Sequence, residues 1–303
     1  MIEMGKKTNK FDVSGKIAAT ALRLLGQLPI GVAGNLGALA GHVMWALAAG
    51  PRNVTLKNIE LCFPQMPEDE RRALAKASII ETAVTAFEMA PAWVQPVDKL
   101  LSLITHADNE TLLDQARKEG KGVVFIVPHF GNWELANYYM ASHQPLVAMY
   151  KPGDSPSLNA LILESRSKIT EMVPADKKGV LSLFAALKEG KVTGVLPDQE
   201  PALKSGVWAP FFGIDALTPM LISRLVNKTG AVAIGFGCQR NADGKGYHVF
   251  YEPVDDEIYS DDINTSTAAM NRCVEQIILR DPTQYQWEYK RFKRRPNKAP
   301  NPY

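Results

Sequence analysis

The chain has 303 residues, of which 46% are hydrophobic and 22% are charged, so it is long and apolar enough to fold around a sizeable core. A mean hydropathy of −0.12 excludes a polytopic membrane protein, and a formal net charge of +2 excludes an overall basic surface for nucleic acid. The three cysteines, Cys62, Cys238 and Cys273, form no Cys-x2-Cys pair. This pattern argues against a zinc ribbon or a disulfide framework and suits a reducing compartment.

An uncharged run of 28 residues extends from Leu24 to Pro51. A helix needs about 20 apolar residues to cross a bilayer, but Pro29 and several glycines interrupt this run. A single span, a re-entrant hairpin, an interfacial helix and a buried core helix are all compatible with it, and we favour membrane contact. Gly37-Ala-Leu-Ala-Gly41 offers a small face for close helix packing. We therefore expect a membrane anchor over residues 1–51.

The rest of the chain predicts helices first and then alternating helices and strands. Residues 68–89 read as one helix, within an expected helical module at 52–99. From about residue 100 to 303 the alternation predicts an α/β domain, with a mainly parallel sheet flanked by helices. Continuous apolar runs predict buried strands at 122–127, 146–150, 192–196 and 231–237, and a more alternating run predicts an edge strand at 247–251. Helical spacing predicts helices at 108–119, 157–169, 179–188 and 219–229. In the last of these, Thr218 would be the N-cap and Pro219 the first helical residue.

A His-x4-Glu pair follows the first buried strand, at the edge of the sheet where ligands bind in such folds. In a continuous helix His129 and Glu134 would point about 140° apart, so they meet only if the chain turns between them. Gly131-Asn132 supplies a turn, which would place Glu134 in the first turn of the next helix. A carboxylate on one imidazole nitrogen leaves the other free to take a proton from a hydroxyl. The pair therefore predicts a general base, and a structural helix cap is the alternative.

A basic segment lies near the other end, where Lys290-Arg-Phe-Lys-Arg-Arg-Pro-Asn-Lys298 has six basic residues in nine. Without these six residues the chain would have a net charge of −4. The segment is compatible with a solvated tail and with a contact to anionic lipid headgroups or an acidic partner. Binding to single-stranded nucleic acid fits it least well.

His129-Phe-Gly-Asn-Trp-Glu134 resembles the His-x4-Asp/Glu motif of the membrane-associated glycerolipid acyltransferases. With Phe-Gly-Asn-Trp inside it, the motif is similar to that of the late acyltransferases of bacterial lipid A biosynthesis. Further segments that look like landmarks of this family are Arg52 to Pro64, Lys151-Pro with Arg166, Leu196-Pro-Asp198-Gln199, Pro210-Phe-Phe-Gly213 and Gln284 to Lys293. Lys151 stands where an arginine is common in the family, and the anchor is unusually rich in glycine and alanine.

The resemblance implies a reaction in which an acyl chain moves from acyl carrier protein, or less often coenzyme A, to the hydroxyl of a hydroxyacyl chain on a lipid A precursor. His129 would take the hydroxyl proton and Glu134 would orient His129. It also implies the bacterial inner membrane, with contact to its anionic lipids and the catalytic domain on the cytoplasmic face. No protein nucleophile, cofactor or metal is expected, since the chain has no Gly-x-Ser-x-Gly and no ligand-spaced histidine pair.

The resemblance also suggests residues that bind substrate. Arg166 would hold a phosphate or stabilise an oxyanion, unless it is an ordinary surface arginine. Asp198 would orient substrate or a catalytic partner, unless it belongs to a simple turn, and Gly131 and Asn132 would contribute backbone and side-chain contacts. Two alternatives remain for the protein as a whole. One is an acyltransferase acting on another glycolipid or an aminolipid, and the other is a non-catalytic lipid-binding membrane protein.

Overall fold

A computed structural model describes residues 12–303, which form eleven α-helices and nine β-strands. The helices are α1 (Val13–Leu25), α2 (Ile30–Leu47), α3 (Ala49–Cys62), α4 (Glu68–Val94), α5 (Val97–Leu101), α6 (Thr111–Lys118), α7 (Trp133–His143), α8 (Pro156–Arg166), α9 (Lys177–Lys188), α10 (Leu221–Thr229) and α11 (Ile263–Arg280). The strands are β1 (Ile104–Asp108), β2 (Val123–Ile126), β3 (Leu146–Tyr150), β4 (Thr170–Pro174), β5 (Val192–Val195), β6 (Gly206–Phe211), β7 (Ile214–Pro219), β8 (Val232–Arg240) and β9 (Tyr247–Glu252).

Seven strands form one sheet, in the order β1-β9-β8-β2-β5-β3-β4. The strands from β8 to β4 run parallel to one another, while β9 is antiparallel to β8 and parallel to β1. This confirms the predicted α/β class with a mainly parallel sheet. Because β2 and β5 are neighbours, the loops that follow them meet at the carboxyl edge of the sheet.

Both faces of the sheet are covered, which explains why β2 is apolar throughout. Val124 and Ile126 pack into the core that lies towards α9, α10 and α11, whereas Val123 and Phe125 pack into the core towards α6 and α7. Alternate side chains of one strand thus belong to two different cores. The sheet is the middle of three layers.

Within the seven-stranded sheet, two strands were not predicted from the sequence, and one predicted strand has a different place in the strand order. The strand β9 was expected at an edge but lies between β1 and β8, so the edges are β1 and β4. These edge strands mix polar residues with few apolar ones, and they gave no strand signal. The helix expected from residue 108 begins only at α6, because Asp108 ends β1.

The start of α10 also differs from the prediction. Thr218 is not its N-cap, because Thr218 and Pro219 lie in β7, where Pro219 pairs with Gly206 of β6. The buried hydroxyl of Thr218 donates to the carbonyl of Ala216 at 3.0 Å and accepts from Arg291 at 2.7 Å. The β6–β7 hairpin, which was not predicted, thus uses the residues that resembled a helix start.

The helix α2 packs lengthwise on α4 through its glycines. A Cβ atom at Gly37 would lie 2.7 Å from the carbonyl oxygen of Ala83, and one at Gly41 would lie 2.6 Å from Cα of Ile80. Side chains at these positions would push the helices apart, which confirms the small packing face. Five large apolar side chains of α2 remain exposed: Val32, Leu36, Leu39, Val43 and Leu47. In the described part of the chain, α2 is the one helix long and apolar enough to cross a membrane, and only 22% of it is buried.

Candidate active site

The loop after β2 turns sharply at Gly131, where φ is +55°. A Cβ atom there would lie 2.0 Å from the carbonyl oxygen of Cys238, so only glycine fits. The next residue, Asn132, donates its backbone N–H to the same carbonyl at 2.8 Å. Its side chain accepts a hydrogen bond from the Leu135 N–H at 3.1 Å as the N-cap of α7. The predicted turn and helix start are therefore present, with Glu134 in the first turn.

His129 lies before this turn and is bound by Asp198, from the loop after β5. Oδ1 of Asp198 accepts from Nδ1 of His129 at 2.8 Å, and Oδ2 accepts from the backbone N–H of His129 at 2.8 Å. Burial alone would raise the pKa of Asp198, but the His129 ring and these hydrogen bonds hold it below its usual value. An ionised carboxylate on Nδ1 leaves the lone pair of Nε2 free to accept a proton.

Nε2 of His129 points toward a polar group and an aromatic side chain. The amide nitrogen of Gln199 lies 3.3 Å from Nε2. The ring of Trp133 meets the imidazole edge-on, with the two ring centroids 5.1 Å apart. The ring of His129 is thus held from three sides, while its side chain keeps 18% of its surface exposed.

Glu134 does not contact His129 as the sequence analysis expected. Its buried carboxylate binds Arg166 through both oxygens, and Oε2 lies 3.2 Å from Nε of that arginine. His129 and Glu134 were expected to pair with each other, but each has a different partner. The loop after β5 brings Asp198 to Nδ1 of His129, and the end of α8 brings Arg166 to Glu134. The expected contact between His129 and Glu134 is therefore wrong, because each of the two residues pairs with a residue from a distant part of the chain.

Arg166 is a half-buried partner of the buried Glu134 rather than an ordinary surface arginine. Burial would lower the pKa of its guanidinium, but the Glu134 carboxylate outweighs this effect and raises it. The centre of the guanidinium also lies 5.9 Å from the centroid of the Tyr150 ring. About a quarter of the Arg166 side chain, 25%, stays exposed, so a fixed positive charge remains available beside the histidine.

A pocket of about 200 Å³ joins His129, Glu134 and Arg166. It extends between the sheet and helices α7 and α8. Its polar lining also includes Asn137, and the other lining residues are Val127, Trp133, Met140, Leu146, Ala148, Met149, Met172, Gly194 and Leu196. Gly194 forms a narrow point, since a Cβ atom there would lie 3.3 Å from the terminal methyl of Met140. The cavity is thus polar at the histidine and mostly apolar elsewhere.

Gly131 and Asn132 do not line this pocket, although both were expected to bind substrate. Asn132 is fully buried, and its amide donates to Oε2 of Glu88 at 3.2 Å. Glu88 in turn accepts from Nε of Arg240 at 2.8 Å, and Arg240 also binds Glu81. This buried network fastens α4 to the end of β8, behind the loop that carries His129. The only sign of this network in the sequence is a charged residue, Arg240, at the end of an apolar strand.

A segment at 284–292, which we call the C-terminal strap, holds the same loop from another side. Gln284 accepts the Gly131 N–H at 2.9 Å through its carbonyl, and the Gln286 N–H donates to the carbonyl of His129 at 3.1 Å. Arg291 is buried, and its guanidinium donates to the carbonyl of Leu217 at 2.8 Å. The basic segment is therefore not a free solvated tail, because one of its six bases is part of the core.

The three cysteines are all buried, and burial raises the pKa of each thiol. They are therefore unsuited to act as nucleophilic thiolates. Within residues 12–303, no group of three His, Cys, Asp or Glu side chains is arranged to hold a metal ion.

Comparison with known proteins gives consistent matches along most of the chain. The sequence profile of the family described as bacterial lipid A biosynthesis acyltransferase matches residues 8–294. The lipid A biosynthesis lauroyltransferase of Escherichia coli K12 is 30% identical over 283 residues, covering 93% of this chain and 92% of that protein. The palmitoleoyltransferase of the same organism is 29% identical over 276 residues, covering 89% and 88% of the two chains. Its myristoyltransferase is 26% identical over 273 residues, covering 89% and 82%.

Proposed function

This chain belongs to the bacterial lipid A biosynthesis acyltransferases, and on that premise we propose that it moves a fatty acyl chain from acyl carrier protein to a hydroxyacyl chain of a lipid A precursor. As a member of this family it is an enzyme that transfers acyl groups. The observation that carries the proposal is the joint presence of a histidine oriented by a buried carboxylate, a fixed arginine and a pocket that also has apolar walls.

In the proposed reaction, His129 is the general base. Nε2 takes the proton of the acceptor hydroxyl, and the resulting oxygen attacks the carbonyl carbon of the thioester. Asp198 acts through His129, because its carboxylate fixes the tautomer and stabilises the imidazolium that forms. When the tetrahedral intermediate collapses, the C–S bond breaks and the departing sulfur receives the proton from Nε2. Atoms and charge therefore balance without a protein nucleophile.

Arg166 supplies the positive charge that this reaction needs at the carbonyl oxygen. The guanidinium lines the same pocket as His129 and is held by Glu134. A preorganised cation in a partly buried site stabilises a developing oxyanion more strongly than one in water. In this scheme Glu134 positions Arg166. The apolar walls of the same pocket hold the acyl chain.

We also propose that the protein lies on the inner membrane, with its catalytic side facing the cytoplasm. Helix α1 also bears exposed apolar side chains, namely Val13, Ile17 and Leu24. The helix α1 packs against α8, which bears Arg166, and Asp12 before α1 accepts a hydrogen bond from the Ser157 N–H at 2.8 Å. A lipid surface at these helices would thus lie beside the pocket, and an interfacial arrangement fits better than an isolated span.

The test is acyl transfer with purified protein, acyl carrier protein thioester and a lipid A precursor. We expect His129→Ala to abolish transfer while binding to vesicles stays unchanged. The matched control is His248→Ala, which removes another histidine that pairs with a carboxylate, Oδ2 of Asp108, at 2.8 Å. Undiminished transfer by His129→Ala would contradict the mechanism, and activity on another lipid alone would assign a different acceptor.

A further inference from the structure

A cluster of bases, five of them exposed and one half-buried, lies close to the proposed active site. We define the C-terminal basic surface as Lys204, Lys290, Lys293, Arg294, Arg295 and Lys298. Residues 290–298 contain no acidic side chain, and Arg291 of that run is buried and does not contribute. The local charge is therefore strongly positive on a chain whose net charge is only +2.

The structure holds this surface in one conformation instead of leaving it as a mobile tail. Phe292 is buried in the core, and its backbone N–H donates to the hydroxyl of Tyr303 at 3.0 Å. Arg291 bonds to the carbonyl of Leu217 at 2.8 Å and to the hydroxyl of Thr218 at 2.7 Å. Bases on an ordered segment form a surface of fixed shape, which favours a partner with a complementary shape and charge.

The same surface is joined to the catalytic histidine through two consecutive residues. Gln199 contacts Nε2 of His129, and the next residue, Glu200, has a fully buried side chain. Glu200 accepts the Arg294 N–H at 2.9 Å and lies 4.0 Å from Nζ of Lys293. Its own backbone N–H donates to the hydroxyl of Tyr289 at 3.0 Å. The basic surface therefore contacts Glu200, and the residue before Glu200 in the chain, Gln199, contacts His129.

An exposed apolar side chain lies in the loop after Glu200. Leu203 is 64% exposed and is followed by the exposed Lys204. The loop is bound to the basic segment, because Nη1 of Arg294 donates to the carbonyl of Pro201 at 2.9 Å. An apolar contact bordered by charges is typical of a protein interface.

The apolar face of α2 is directed away from this surface. Ile80 and Ala83 of α4 contact the glycines of α2, whereas Ser78 and Thr82 of α4 bond to the C-terminal strap. At about 100° per residue these pairs lie on opposite faces of α4. A membrane in contact with the exposed side of α2 is therefore separated from the strap by two helices.

We propose that the C-terminal basic surface docks the acidic carrier protein that delivers the acyl thioester, with Leu203 as an apolar contact. The inference rests on the proposed function, and it names where the donor binds. Positive charge beside the thioester site raises the association rate of an acidic partner and orients it. The donor then approaches from the loop after β5, while the lipid acceptor approaches from α1 and α8.

The test uses the full-length protein and two double variants. Lys290→Glu/Lys298→Glu reverses two exposed charges that do not touch Glu200, and Lys293→Gln/Arg294→Gln removes the two that do. The matched control is Lys118→Glu/Lys188→Glu, which makes the same charge change as Lys290→Glu/Lys298→Glu. Its two sites lie at the ends of α6 and α9, on the opposite edge of the sheet. Carrier protein binding is measured by fluorescence anisotropy, and transfer is measured with the carrier thioester and with uncharged acyl-pantetheine.

We expect both surface variants to weaken carrier binding and raise the KM for the carrier thioester, on the order of tenfold. The kcat/KM of Lys290→Glu/Lys298→Glu for acyl-pantetheine should match wild type, and the control should be unchanged in every assay. Unchanged carrier binding in both variants would overturn the proposal, as would an equal loss with acyl-pantetheine in Lys290→Glu/Lys298→Glu. Loss of binding to vesicles containing phosphatidylglycerol, with carrier binding intact, would assign the surface to the membrane and also overturn it.

The two proposals fail in different ways. If wild type binds the carrier protein in a charge-dependent manner but transfers nothing to a lipid A precursor, the docking surface stands and the proposed reaction falls. If wild type transfers the acyl chain but shows no charge-dependent binding, the reaction stands and the docking surface falls.

Discussion

Oδ1 of Asp198 lies 2.8 Å from Nδ1 of His129, although 69 positions separate the two residues in the chain. The other oxygen of the same carboxylate holds the backbone of His129 at 2.8 Å. One buried group therefore fixes both the imidazole ring and the loop that carries it. The ring cannot rotate without breaking its hydrogen bond to a buried carboxylate.

Asp198→Asn should abolish most of the activity while leaving the fold intact. An amide at this position offers an N–H to Nδ1, which moves the ring proton to Nε2 and blocks the proposed base. We expect kcat to fall by about 10³- to 10⁴-fold, with a smaller change in KM. The control is Asp108→Asn, which alters the His248 pair at the other side of the sheet and should leave kcat unchanged. A kcat within about tenfold of wild type would contradict the role of Asp198.

Removing Arg166 alone should destabilise the protein, because it leaves Glu134 buried without a counter-charge. We expect Arg166→Ala to lower the free energy of unfolding by about 3–5 kcal/mol in urea titrations. The double variant Glu134→Gln/Arg166→Gln should recover much of that stability but not the activity, since the cation is still missing. Arg166→Lys keeps the positive charge but loses the planar guanidinium that binds both oxygens of Glu134. If the double variant had full activity, Arg166 would have no part in the reaction.

Gly194 should limit the length of the acyl chain that is transferred. A methyl group at this position meets the end of Met140 at 3.3 Å, so Gly194→Val should shorten the pocket. In competition between thioesters of different length, we expect the preference to shift toward shorter chains by about tenfold. Met140→Ala should shift it toward longer chains, at a stability cost of about 2–5 kcal/mol. An unchanged preference in both variants would show that the chain lies elsewhere, and Leu181→Ala, on the exposed side of α9, is the control.

The exposed face of α2 should control binding to vesicles without contributing to stability. Leu39 and Val43 are 65% and 50% exposed, so Leu39→Glu/Val43→Glu should leave the Tm within a few degrees of wild type. We expect vesicle binding in flotation assays to fall by about tenfold or more for each residue. Leu181→Glu/Leu279→Glu, at sites 67% and 48% exposed, is the matched control. Equal losses in the two double variants would mean that α2 has no special part in membrane binding.

Glu288 should make stability fall as the pH rises. Burial raises the pKa of its carboxyl from 4.5 to about 7, and within the described residues Oε1 has no hydrogen-bond partner. The folded protein thus holds a proton that the unfolded chain releases, so its stability is complete below about pH 4.5 and declines up to about pH 7. The decline should be on the order of 3 kcal/mol. Glu288→Gln should lack this component in urea titrations between pH 4 and 8, and identical pH profiles would refute the assignment.

Local features of the site were predictable from the sequence, because neighbouring residues decide them. Gly131 marks a backbone turn that excludes other residues, and Asn132 is a preferred N-cap, so the position of Glu134 in α7 followed from a few residues. The strand before them was also clear, since a run that is apolar throughout indicates a strand covered on both faces.

The pairing of the site residues was not predictable in the same way. His129 and Glu134 are near each other in the chain, which made their contact the simplest hypothesis. The actual partners come from distant loops, and they meet because β5 lies beside β2 and because α8 ends beside α7. Strand order depends on how the whole chain packs, and the apolar pattern of each strand does not specify its neighbour. The same limit explains why β9 was expected at an edge.

The C-terminal strap has a consequence for the order in which the enzyme becomes competent during synthesis. The loop of His129 leaves the ribosome long before Gln284 and Gln286, which hold two of its peptide groups. A nascent chain can form the central strands by then, but it lacks the contacts that fix the histidine. We therefore expect acyl transfer to begin only after residues 284–286 have left the ribosome. A partly synthesised chain should be inactive.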